Sequence, residues 1–117
     1  MSIVIYKILL EHEYKKLKSS GIFWGSKVDK KDGFIHFSTS TQILETLQIH
    51  FTDALKIYIL SFKSNSMSNL RWERARNGDL FPHLYGQIRS IHIRSEIFLK
   101  KVRGNFLVPA EFLENHA

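Results

Sequence analysis

The stretch Phe34-Ile35-His36-Phe37-Ser38-Thr39-Ser40-Thr41, residues 34–41, changes character halfway. Its first four residues alternate as a strand, with Phe34 and His36 on one face and Ile35 and Phe37 on the other. Its last four carry hydroxyls of the kind that open a helix. Thr39 and Gln42 stand at capping-box spacing, the hydroxyl accepting from the N3 amide and the Gln side chain reaching back. The spacing predicts a helix over 40–50, with Ile43, Leu44, Leu47 and Phe51 at i, i+1, i+4 and i+8.

The flanks extend this pattern in both directions. Upstream, residues 3–10 are apolar and β-branched apart from Lys7 and read as a strand. Residues 11–20 read as a helix, with Glu11 and Glu13 in its first turn, Lys18 near its end and Gly21 at the C-cap. A charged loop then closes at Asp32-Gly33. Downstream, residues 55–62 read as a central strand and 63–69 as a loop. A strand follows over 70–74, with Leu70, Trp72 and Arg74 on one side and Arg71 and Glu73 on the other. Asn77-Gly78 marks a turn, residues 88–99 read as strand in two pieces, and Gly104-Asn105 turns the chain again. Residues 110–117 read as a last helical turn or a frayed end. Two early helices among five or six strands, with no regular βα alternation, give the class α+β rather than a doubly wound sheet.

Composition sets the outer limits. The chain has 117 residues, which fits a single domain over residues 1–117. It has no cysteine, which excludes a disulfide framework, a CxxC redox pair and a thiolate metal site. The apolar runs are too short to span a bilayer, and the first carries Lys7 without the flanks of a signal peptide. A cytoplasmic protein without a membrane partner is therefore expected. The formal charge is +6, which favours anionic partners. The excess falls into three groups: Lys27, Lys30 and Lys31; Arg71, Arg74 and Arg76; and the basic third from Arg89 to Arg103. The last has Phe98 as its one aromatic until Phe106, so a stacking platform for nucleic acid is poorly supported.

No phosphate loop, dinucleotide fingerprint, nucleophile elbow or HExxH motif is present. No two of the six histidines share i, i+4 spacing on a predicted helix, so no metal is expected. Two segments do place polar, reactive side chains among apolar ones. At 32–39, His36 lies between two phenylalanines and before hydroxyls at a helix start. That suits an imidazole beside an anion, and equally a core histidine with Ser38 and Thr39 as caps. At 71–86, a carboxylate, three arginines, a histidine and three aromatics fall within one short run. That mixture suits a pocket that stacks a ring and pairs with phosphates, and equally core filler with a surface ion pair.

These segments carry a resemblance. Asp-Gly-Phe-Ile-His-Phe-Ser-Thr at 32–39, Trp-Glu at 72–73 and Leu-Phe-Pro-His-Leu-Tyr-Gly at 80–86 resemble the bacterial domain-of-unknown-function family 952. Ile5-Tyr6-Lys7-Ile8, Gly25-Ser26, Asp29, Gln42, Glu45-Thr46 and His50-Phe51 fall in the same pattern, which covers about residues 3–110. The resemblance implies an ADP-ribosyltransferase-like fold, with two small bent antiparallel sheets around a cleft and flanking helices. It implies NAD as cofactor and a late carboxylate acting at the transferred ribose. Carried over to this chain, the catalytic candidates are Glu73, His36 and His83. The ligand-binding candidates are Lys7, Ser38, Thr39, Arg76 and Tyr85. The alternative is a non-catalytic module for a nucleotide or another small anion.

Overall fold

A computed structural model describes residues 3–75 and 77–113. Strand β1 (Val4–Leu9) opens the chain and is buried along its whole length. Alternation divides its side chains between two cores. Ile5 and Leu9 join Leu17, Leu60 and Phe62 on one side, while Val4, Tyr6 and Ile8 join Ile43, Ile57 and Ile59 on the other. Lys7 therefore falls on the Ile5–Leu9 side, inside apolar packing.

Helix α1 (Glu11–Ser20) spans the residues that its caps predict and ends on Gly21, which sits at φ 80°. A short strand β2 (Ile22–Phe23) leads into helix α2 (Lys27–Asp32), where the sequence predicts a charged loop. The cause is a capping box at Ser26 and Asp29. The Ser26 hydroxyl accepts from the Asp29 amide at 3.1 Å, and the Asp29 carboxylate accepts from the Ser26 amide at 2.9 Å. A six-residue helix has too few turns to show an apolar period, so caps are its main signal.

Strand β3 (Ile35–His36) is shorter than the four alternating residues suggest, although Ile35 and Phe37, which alternation puts on one face, are both buried. Helix α3 runs Ile43–His50, starting later than residue 40 because the Thr39 carbonyl accepts from both Gln42 and Ile43 in a preliminary turn. Half of the expected capping box forms, with the Thr39 amide donating to Gln42 Oε1 at 3.0 Å. The Thr39 hydroxyl instead meets Thr41 Oγ1 at 3.2 Å. The chain continues through β4 (Lys56–Lys63), β5 (Leu70–Arg74), β6 (Leu80–Leu84), β7 (Ile88–Arg89), β8 (Ser95–Lys100) and helix α4 (Ala110–Leu113). Residues 114–117 of the predicted last turn lie outside the described residues.

All strand pairings are antiparallel. One three-stranded sheet has the order β1-β4-β8, a second has β3-β6-β5, and β2 pairs with β7 in a two-stranded ribbon. Two sheets were expected from the resemblance, so the ribbon is an addition to that picture. The three-stranded sheets are joined by paired backbone hydrogen bonds between Tyr6 and Ser38, at 2.8 and 2.9 Å. The α+β class holds. Among the described residues no helix is long and apolar enough to cross a membrane.

Candidate functional site

The register of β3, β5 and β6 assembles one face. His36 stands opposite His83, and Arg71 opposite His83 from the other side. Glu73 stands opposite Phe81. Alternation then puts Phe34, His36, Arg71, Glu73, Phe81, His83 and Tyr85 on the same side, with Trp72 and Leu84 on the reverse. Phe34 stacks on the His83 ring at 4.1 Å between centroids and contacts the Tyr85 ring at 5.3 Å. The two imidazoles meet edge to face at 5.5 Å. The Arg71 guanidinium lies 5.2 Å from the Tyr85 ring centroid.

Each imidazole is oriented by a carboxylate on Nδ1. His83 Nδ1 lies 2.8 Å from Glu73 Oε1, which also accepts from the Tyr85 hydroxyl at 2.7 Å. These two hydrogen bonds, Tyr85 first and His83 second, hold the Glu73 carboxyl below the usual carboxylate range. The same contact pushes the Tyr85 phenol up, so Tyr85 keeps its proton and donates it. His36 Nδ1 lies 2.7 Å from Asp29 Oδ1, and its other nitrogen lies 2.9 Å from Asp32. Both ring nitrogens of His36 therefore face carboxylate oxygens.

Asp29 anchors this arrangement from below. It is 2% exposed and accepts from Lys7 Nζ at 2.8 Å, the Ser26 amide at 2.9 Å, the His36 amide at 3.1 Å and the His36 ring. Burial alone would raise its carboxyl. The hydrogen bond from His36, the charge and hydrogen bond of Lys7, and the Ser26 amide outweigh burial and hold it far below the usual range. Burial pushes Lys7 down despite Asp29 beside it. The pair is asymmetric because Lys7 has only Asp29 in contact and the charge of Glu13 to offset its desolvation, whereas Asp29 collects four donors. The ammonium also donates to the His36 carbonyl at 2.9 Å, so it fixes the strand that carries the ring.

The depressed Asp29 carboxyl implies a direction with pH. Its unfolded value is about 4, so its contribution to stability is complete above that pH and is lost as pH falls toward the lower folded value. The urea midpoints of wild type and Asp29→Asn should stay separated near pH 5 and converge as the pH drops below about 4. A gap that widens on acidification would contradict the ion-pair geometry.

Gly25 makes the close approach of Asp29 feasible. It sits at φ 121°, and a Cβ placed there would lie 2.8 Å from the Asp29 Cβ. Gly25→Ala therefore combines backbone strain with a clash against a fixed residue and should cost at least about 1–3 kcal/mol in chemical denaturation.

Of the residues singled out from sequence, the structure brings His36, Glu73, His83 and Tyr85 onto one face. Lys7 is buried beneath it and engaged by Asp29. Ser38 is buried, with its hydroxyl 2.9 Å from Thr46 Oγ1, and Thr39 lies beyond it at the start of the α3 turn. Arg76 lies outside the described residues. Asp29 and Asp32 were not singled out as site residues. The Ser26–Asp29 spacing was a readable capping signal, but nothing local shows that the cap also reaches Lys7 and His36. A groove of about 650 Å³ lies beside this face rather than over it, between α3 and the β5–β6 turn, and Phe81 is the wall they share. Among the described residues no group of three His, Asp or Glu side chains is placed to hold a metal.

The same framework occurs in solved structures. The crystal structure of protein CC0527 from Caulobacter crescentus matches with a TM-score of 0.87 at 33% identity, covering 94% of this chain and 97% of that one. Its solution NMR structure matches with a TM-score of 0.78 at 35% identity, covering 88% and 90%. No curated protein matches the chain. The model of a family described as proteins of unknown function, DUF952, matches residues 8–96. With most of its length in that match, including both histidine segments, the chain belongs to the DUF952 family.

Proposed function

We propose that the face built from Phe34, His36, Arg71, Glu73, His83 and Tyr85 binds a nucleotide, with NAD as the cofactor, and supports ADP-ribosyltransferase-like glycosyl transfer. The carrying observation is the Glu73 carboxylate. It is held ionised by Tyr85 and His83, yet remains about one-third exposed on its side chain, beside aromatic rings. NAD, when bound, supplies a ribose–nicotinamide bond whose cleavage develops positive charge on the sugar. A fixed carboxylate facing that charge stabilises it without reorganisation.

The remaining residues support that task. Phe34 and Tyr85 offer ring faces for a heterocycle, and Arg71 places a guanidinium at the rim. His83 and Tyr85 fix the Glu73 oxygen that they share, so its other oxygen is directed by two contacts rather than one. Lys7 and Asp29 act beneath the face by holding His36 and do not reach a ligand. Incubation with NAD should release nicotinamide, and Tyr85→Phe, which removes one of the two donors to Glu73, should slow release by about tenfold. No release above a Glu73→Ala control, across protein, nucleic-acid and small-molecule acceptors, would refute the catalytic reading. Saturable NAD binding without release, lost in His83→Ala, would instead support the binding module.

A further inference from the structure

His36 and His83 form two copies of one arrangement. In each, Nδ1 lies against a carboxylate, Asp29 or Glu73, and that contact aims Nε2 away from it. The two rings lie 5.5 Å apart between centroids on the same face. Their outer nitrogens differ. His83 Nε2 has no partner among the described residues and is not sealed from solvent, although the residue is only 8% exposed. His36 Nε2 is covered by the Asp32 carboxylate at 2.9 Å. Asp32 is 41% exposed on its side chain and is the last residue of α2, next to Gly33 at φ 88°.

Charge counting identifies what Asp32 is doing there. Lys7 and Asp29 neutralise each other in direct contact. Asp32 supplies a second carboxylate to the His36 ring from the solvent side, 2.9 Å from Nε2. An exposed ion pair of this kind is weak, so it exchanges readily with another anion. A phosphate oxygen has the charge and acceptor geometry of the carboxylate it would replace, with further oxygens left for a second donor.

We propose that the adjoining outer edges of His36 and His83 are a phosphate seat, and that Asp32 is its built-in competitor, displaced when a phosphate monoester or diester binds. This deepens the nucleotide reading and rests on it for the identity of the ligand. It places a phosphate at the outer nitrogens of the two rings, with the aromatic cluster of Phe34 and Tyr85 beside it for the base. It also gives Asp32 a regulatory role: the free site carries its own anion, so weak or singly charged solutes are excluded.

Imidazole-detected NMR on the full chain tests this with inorganic phosphate, AMP and adenosine. Phosphate and AMP should shift Nε2 of both His36 and His83, whereas adenosine should leave His36 Nε2 in place. Asp32→Asn, an exposed and fold-neutral change, should tighten phosphate binding roughly two- to fivefold. His83→Asn should weaken it. Failure of phosphate to move either imidazole, or an Asp32→Asn variant that binds phosphate no better than wild type, would overturn the seat. The two readings fail separately. Phosphate binding as described with no nicotinamide release would leave the seat standing without the glycosyl chemistry. Nicotinamide release with unmoved imidazoles in phosphate would do the reverse.

Discussion

Asp29→Ala is expected to lose about 3–5 kcal/mol of folding stability, the cost of leaving a buried charge without its partner. The loss is large because four donors converge on one side chain: Lys7 Nζ, two backbone amides and the His36 ring. Without the carboxylate, the Lys7 ammonium keeps only the His36 carbonyl, inside the packing of Ile5, Leu9 and Leu60. Unpaired donors at Ser26 and His36 add to this cost. Adding Lys7→Met should recover part of the loss, since Met fills the stem's volume without a charge, so the double variant should be more stable than Asp29→Ala alone. Urea denaturation at neutral pH reads both effects. An Asp29→Ala cost below about 1 kcal/mol, the value of an exposed pair, would contradict the role given to this cluster.

Glu73→Gln is expected to lower the rate of nicotinamide release from NAD by about 10²–10³, with little change in stability. The substitution keeps the size of the side chain and an oxygen able to accept from Tyr85, but removes the negative charge. Ground-state binding relies on the rings and on Arg71, so KM should move little while kcat falls. Glu73 is exposed enough that the neutral amide leaves no buried charge behind, so thermal denaturation of the variant should overlay wild type. A loss that appears in KM with kcat unchanged would assign Glu73 to binding alone.

Much of this architecture is legible from local pattern. Helix α1 is bounded by its own caps, and the alternation of 70–74 correctly separates Glu73 from Trp72. The two histidine segments were readable as places where reactive groups sit among apolar ones. Their convergence was not, because it depends on β3 and β6 pairing across 47 residues of sequence, with His36 opposite His83. Lys7 shows the limit most clearly. The family resemblance offers Lys7 as a ligand-binding residue, but its partner is Asp29, 22 residues away on a short helix without apolar period. Asp29 itself carries two roles, closing the cap of α2 and orienting His36, and local sequence encodes only the first.

The basic charge of the chain also takes a narrower meaning. Lys7 is internal and neutralised, and Arg74 donates to the Gly78 carbonyl at 2.7 Å in the β5–β6 turn. Arg71 is the guanidinium that lies on the site's aromatic rim. Among the described residues, Arg71 is therefore the permanent cation at this aromatic cluster, which suits one small anion better than a polyanion.

The most direct test of the account is NMR titration of NAD into the isotopically labelled full chain, following side-chain and amide resonances together. Saturable shifts are expected at Phe34, His36, Glu73, His83 and Tyr85, with the Tyr14–Tyr58 stack between α1 and β4 unmoved. Absence of saturable shifts at millimolar NAD, or shifts confined to surfaces away from the two histidines, would contradict it.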